Sequence, residues 1–286
     1  MRLRGKRLAI CGLAVFAMVM AGSSMASATE YPLTGLPEIG RCVSKPGEGG
    51  FKGLKAVCIV HSLTHKGNFE WLPGPGDKGT FKDRLSNPTL ETVGGGRIVC
   101  SFIFMNGEIT SGKNLKISNL TMQGCLLVGP NLPCFSNPTE QGTIESTTPL
   151  VGELGFIPGS PNPANPWVGW DLKAESELSG TMVEFGCGEG KLGIPTYKVS
   201  LEGSVIARVK KTNKMISVFE ITYKQSAGKQ IPSAFTGGPE DVLTQITTLT
   251  TNPLEPKEEQ AGLQTGGEME MGEAMEVKAR EKFPLK

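Results

Sequence analysis

The side chains able to do chemistry in this chain are few. Only two histidines occur among its 286 residues, and both follow Cys58 in the spacing Cys-x2-His-x3-His, at His61 and His65. Thiolate and imidazole at these separations are the ligand types of a structural zinc site. Such a site needs a fourth donor and a reduced cysteine, so the expected assignment is a disulfide at Cys58 and two loop histidines, with no metal. The run Gly186-Cys-Gly-Glu-Gly-Lys191 looks like a phosphate loop but fails on spacing. The leading glycine position is taken by Phe185, and the Ser or Thr after the lysine is Leu192. No other cofactor pattern appears.

Two carboxylates flanking a scissile bond would support glycoside hydrolysis, and Glu184, Glu189, Glu202 and Glu220 lie in the best-organised region. Serine hydrolysis lacks its Gly-x-Ser-x-Gly elbow, and both histidines lie far upstream of that region. Tryptophan offers the best binding chemistry, because an exposed indole on a β scaffold stacks on sugar rings. The candidates are Trp71, Trp167 and Trp170. The last two sit three positions apart, so a strand there sends them to opposite faces while a turn brings them together, and the alternative for all three is that they fill the core or cover its edge.

The elements that must position these residues read as strands. From Tyr197 to Val209 one parity is mostly apolar and the other carries Ser200, Glu202, Ser204, Arg208 and Lys210, a two-residue period that only Ile206 breaks. Met215 to Tyr223 alternates in the same way, which predicts a hairpin. Shorter β-prone runs precede it at 97–104, 115–122, 150–157 and 168–172. Asn106-Gly107 is expected to be a tight turn. Residues 237–241 read as the start of a short helix, with a strand equally compatible for 242–249; 251–267 reads as a polar loop, followed by a closing strand at 274–279. Amphipathic helices in series are absent, so the expected fold is all-β, a disulfide-stapled sandwich or partly open barrel.

The chain starts with Arg2, Arg4, Lys6 and Arg7, continues with an apolar run from Leu8 to Ala21, and reaches Ala26-Ser27-Ala28. That order predicts a signal peptide over 1–28 and a secreted or cell-surface product with no membrane span after cleavage. Loss of those four positive charges takes the formal charge from +1 to about −3, which removes the usual support for nucleic-acid binding. Residues 29–145 read as a cysteine-rich β region and 146–286 as a β domain that can be continuous with it.

Apart from Cys11 in the leader, the cysteines are Cys42, Cys58, Cys100, Cys125, Cys134 and Cys187. Their even number fits disulfides, although six allow 15 pairings. Proximity suggests Cys42 with Cys58 and Cys125 with Cys134, which leaves Cys100 with Cys187 as a long-range bond worth about 4 kcal/mol on loop entropy.

Gly203-Ser-Val-Ile-Ala207, Asn213-Lys-Met215, Gly228-Lys-Gln230, Gly237-Gly-Pro239, Asp241-Val-Leu243 and Met275-Glu-Val-Lys-Ala279 together resemble a recurring set of exported bacterial proteins. Gly67-Asn-Phe-Glu-Trp71, Leu90-Glu-Thr-Val-Gly94 and Pro149-Leu-Val-Gly-Glu-Leu-Gly155 extend the resemblance upstream. The set has no assigned activity, so the resemblance implies a shared secreted scaffold and brings no catalytic residues. The functional expectation is a secreted structural or binding protein, with a cell-surface or glycan ligand; the alternative is a carbohydrate-active enzyme using paired glutamates.

Overall fold

The computed structural model describes residues 35–53, 57–176, 180–189 and 195–281. The expected signal peptide, residues 54–56 and the end of the glycine run at 190–191 lie outside them. Among the described residues the chain is all-β and has no helix. A small N-terminal sheet holds β1 (Glu38–Gly49), β2 (Phe51–Lys52), β3 (Val60–His61) and β4 (Gly67–Pro73). Next come β5 (Thr80–Thr92), β6 (Arg97–Val99), β7 (Phe102–Ile109), β8 (Asn114–Gln123), β9 (Leu126–Leu127), β10 (Leu132–Phe135) and β11 (Thr143–Glu145). The second half adds β12 (Leu150–Ile157), β13 (Trp167–Ala174), β14 (Thr181–Glu189) and β15 (Pro195–Lys210). It ends with β16 (Ile216–Ser226), β17 (Lys229–Ile231), β18 (Leu243–Leu249) and β19 (Asn252–Lys278).

All the ladders are antiparallel, and they close on themselves. One circuit runs β5, β7, β8, β12, β13, β15, β16, β19 and back to β5. The other runs β5, β6, β9, β10, β14, β15, β18, β19 and back to β5. The three long strands β5, β15 and β19 serve both circuits, so the molecule is one large sheet carrying a ring of strands. Period-two alternation then decides which side chains fill the ring. Leu150 and Leu154, Val168 and Trp170, Val205 and Ala207, and Phe219 and Ile221 all point into one continuous core. The N-terminal sheet has its own small cluster of Cys42, Phe51 and Cys58, and joins the ring where β1 pairs with β19 from Glu38 opposite Lys278 to Gly40 opposite Glu276.

The disulfides are Cys42–Cys58, Cys100–Cys125 and Cys134–Cys187. Proximity identified the first pair and misassigned the other four cysteines. The reason is register: Cys134 on β10 lies directly opposite Cys187 on β14, with Cα atoms 4.0 Å apart. Cys125 is meanwhile turned to Cys100, across the gap between β6 and β7. The loop 128–131 is closed by β9 pairing with β10 rather than by a bond between Cys125 and Cys134.

Three local expectations are also corrected. Asn106-Gly107 is no turn; it sits inside β7 at a register shift against β8, where a Cβ on Gly107 would lie 2.2 Å from the Lys116 carbonyl oxygen. Residues 237–241 form a turn closed by a bridge from Ala234 to Glu240 instead of a helix. Residues 252–267 are the first part of β19, not a loop. The hairpin of β15 and β16 is present, but direct pairing is limited to Arg208–Lys210 opposite Glu220–Thr222, after which β16 pairs along β19.

Peptide mapping without reduction is expected to recover these three pairs and no Cys125–Cys134 peptide. Replacing Cys134 and Cys187 together by alanine should cost about 4 kcal/mol of stability, read by denaturant titration, since that bond closes the longest loop.

Candidate functional site

The inside of the ring is a packed core. It holds a void of about 70 Å³, lined by Leu, Ile, Val and Met side chains with Tyr223. The void is less than half the size of an engineered cavity of about 150 Å³ that takes benzene, so it has no room for a sugar ring. Asp83 nevertheless points inward on β5 at 5% exposure, with Oδ1 lacking a hydrogen bond. Burial pushes its pKa up to about 8, so it is held as a neutral acid in neutral solution. Glu276 on β19 is fully buried with neither oxygen bonded, and burial raises it to about 7 against the opposing pull of Lys278.

On the outside of the ring, strand register builds a trough. Gly155 on β12 lies opposite Gly169 on β13, Gly169 opposite Arg208 on β15, and Arg208 opposite Thr222 on β16. Glycine inside a strand marks the close approach of another group, and here that group is Phe235. A Cβ on Gly155 would lie 2.4 Å from the Phe235 ring; one on Gly169 would lie 2.7 Å from the Ala207 carbonyl and 2.8 Å from Ile157 Cδ1. The segment carrying Phe235 is fastened over the trough. Thr236 N–H donates to the Phe156 carbonyl and Asp241 N–H to the Ser233 carbonyl, both at 2.7 Å. The Gln230 amide donates to the Lys224 carbonyl at 2.9 Å and accepts from Leu263 N–H at 3.0 Å. This cover explains Ile206, the residue that broke the sequence pattern: it faces outward yet is 0% exposed.

Where the cover ends, an open cleft of about 420 Å³ remains between Trp167 and Arg208 on one side and Ile231-Pro232-Ser233 on the other. Its volume is that of a small-ligand site, in the range of about 300–1,000 Å³. The Arg208 guanidinium carbon lies 3.9 Å from the centroid of the Trp167 ring, a stacked cation–π contact. Burial lowers the Arg208 pKa, and Glu220 acts against that shift. Arg208 Nε and Thr222 Oγ1 are buried without a hydrogen bond. Lys224, two residues along the same face of β16, also lines the cleft, whose lining includes no Asp or Glu.

Of the candidate tryptophans, Trp167 lines this cleft, while Trp170 points the other way into the core at 2% exposure, as strand geometry requires. Trp71 is half-buried at the edge of the N-terminal sheet, where its indole N–H donates to Glu38 Oε2 at 3.1 Å and Lys278 Nζ lies 4.8 Å from its ring centroid. The three therefore form no common surface. Cys58 is committed to Cys42, His61 Nε2 lies 2.8 Å from Glu281 Oε2, and His65 is exposed on the following loop. No cluster of three or more metal-ligating side chains occurs among the described residues. Glu220 is ion-paired with Lys210, which holds its pKa below the usual value. Glu202 accepts from Ser200 at 3.1 Å and Thr181 at 3.4 Å, and Glu184 opens onto a separate hollow of about 520 Å³ beside Lys198 and Ser200. The side chain of Glu189 lies outside the described residues.

Sequence reasoning found Trp167 but missed Arg208, Thr222, Lys224 and the 231–235 segment as its neighbours. The available signal was the pair of glycines, Gly155 and Gly169, inside otherwise continuous strand patterns.

Two outcomes follow. Gly155→Val should push Phe235 out of the trough at a cost of about 1–3 kcal/mol, with new proteolytic cleavage at 232–241 as the readout. The pH dependence comes from carboxyls whose folded pKa is raised. Between about pH 4 and pH 8 folded Asp83 keeps a proton that the unfolded chain has lost, so stability is greatest on the acid side and falls until pH passes 8. Glu276 adds the same slope up to about pH 7. Asp83→Asn should flatten the melting-temperature profile and raise it above pH 8, by about 2 kcal/mol equivalent once residual solvation is allowed for. Comparison with protein-family models, with curated proteins and with solved structures gives no match to this chain.

Proposed function

We propose that the chain is an exported binding protein without catalytic activity, and that its ligand, a glycan of the cell surface or surroundings, enters the cleft beside Trp167. The observation that carries this reading is the stacked pair of Trp167 and Arg208 at the mouth of an open cleft. Export is supported by the basic, apolar and small-residue order of residues 1–28 and by three disulfides, which persist in oxidising compartments. No helix among the described residues is long and apolar enough to cross a membrane. The resemblance to exported bacterial proteins fits the same reading.

One observation favours hydrolysis as a second reading. Glu184 lies opposite Ser200, so Glu184 and Glu202 are diagonal neighbours on one face of β14 and β15. Diagonal positions are spaced about 7–8 Å along the backbone, close enough for two carboxyl groups to flank one bond as in an inverting glycosidase. Against it, the Glu202 carboxylate is already engaged by two hydroxyls.

A glycan array followed by turnover assays on the hits separates the two. Binding without turnover, weakened about tenfold or more by Trp167→Ala with the circular dichroism unchanged, is expected. Hydrolysis that Glu184→Gln abolishes would replace the binding reading with the enzymatic one.

A further inference from the structure

We infer that the cleft selects an acidic saccharide, with the carboxylate of a uronate ring held by Arg208 and Lys224; this rests on the binding reading above and adds the charge of the ligand. Most lysines and arginines of the described residues stand outside ion pairs, the exceptions being Arg41, Lys116, Lys210, Lys257 and Lys278; what sets Arg208 and Lys224 apart is that both line one cleft. No acidic side chain lines the cleft they share. Glu220 acts on Arg208 but is ion-paired with Lys210, so two cations sharing one cleft are only partly balanced and create a local field that an anion relieves.

The form of the anion follows from the arginine. The Trp167 ring covers the guanidinium carbon at 3.9 Å and Nε is buried, which leaves the two terminal Nη groups as the donors for the cleft. A planar fork with a fixed orientation matches the two oxygens of a carboxylate, with Lys224 adding a point charge. The remaining walls are of a different kind. Ile231, half-exposed, and Pro232 give an apolar side, and Ser233 is a polar neighbour in the same lining. A pyranose offers the complementary surfaces, an apolar C–H face and ring hydroxyls, so carboxylate and ring together describe a uronate.

Titration calorimetry of the full mature, oxidised chain with a galacturonate trimer and with its methyl ester tests this, with adipate as a carboxylate lacking the ring. The acid trimer is expected to bind at least about tenfold more tightly than the ester, and less tightly as salt is raised from low to high ionic strength. Adipate should bind more weakly than the trimer. Arg208→Gln should lose about tenfold or more in affinity, and Arg208→Lys, which keeps charge but not the fork, should recover only part of it. Unchanged circular dichroism confirms that these variants fold. Equal binding of trimer and ester would overturn the charge assignment and leave the binding reading standing; so would failure of both beside a neutral array ligand that depends on Trp167. Adipate binding as tight as the trimer would overturn the saccharide assignment. Failure of both trimers with no array ligand sensitive to Trp167→Ala would overturn the inference and the binding reading together.

Discussion

The structure depends on ladder closure: strand backbone groups must find partners, and three strands must satisfy two circuits at once. β5 gives its first half to β7 and its last residues to β6, β15 divides between β14 with β18 and β13 with β16, and β19 does the same between β18 and β16. An unpaired edge is costly if buried and sticky if exposed. Sharing long strands removes most such edges, and it fixes register, because a one-residue slip in β15 would turn its core residues outward in both circuits together. Register also places the Cys134–Cys187 bond, the one disulfide that joins directly opposed strand residues, on β10 and β14.

A filled ring leaves only its outer surface for recognition. Alternation sends branched and aromatic side chains inward from neighbouring strands, and what remains is a void of about 70 Å³. On the outer face the same alternation would ordinarily give an even, polar surface. Gly155 and Gly169 break it, since two missing side chains in register make a trough, which Phe235 fills at one end and the Arg208 guanidinium borders at the other. The cleft is thus a consequence of strand order. It needs β12, β13, β15 and β16 to be neighbours, and the 229–241 connection to fold back over them.

Much of the fold was legible because strand alternation is a local signal. It placed β15 and β16, sent Trp167 and Trp170 to opposite faces, and identified an all-β chain. Local chemistry misled where tertiary pairing overrides it. Residues 251–267 contain Pro253, Pro256 and a run of charged residues, the composition of a loop. They are nevertheless strand, because up to Gln260 the segment pairs only with β18 and its prolines sit on a free edge that needs no N–H. Asn106-Gly107 has turn chemistry but spends it on a bulge. The cleft was legible only as Trp167. Its other groups come from 208, 222–224 and 231–233, which are distant in sequence and adjacent only through ladder order and one backfolded connection.

Two cation–aromatic contacts in the molecule show why geometry alone does not make a site. At the N-terminal sheet, Lys278 Nζ lies 4.1 Å from the Phe51 ring centroid and 4.8 Å from that of Trp71, at 0% exposure. Burial lowers its pKa, and Glu281, itself bonded to His61, supplies the counter-charge. Charge and aromatic faces are used there in fastening β1 to the end of β19, beside a Glu276 carboxyl that is sealed from solvent. Arg208 on Trp167 has the same stacking, but it opens onto solvent and has only Glu220, already tied to Lys210, nearby to balance it. An unfinished set of interactions at an open surface is what a binding site requires, because a ligand gains only the contacts that the protein has not already made for itself. By that criterion Trp71 is spent on holding β1 to β19, and Trp167 is the one of the three tryptophans that borders an open cleft.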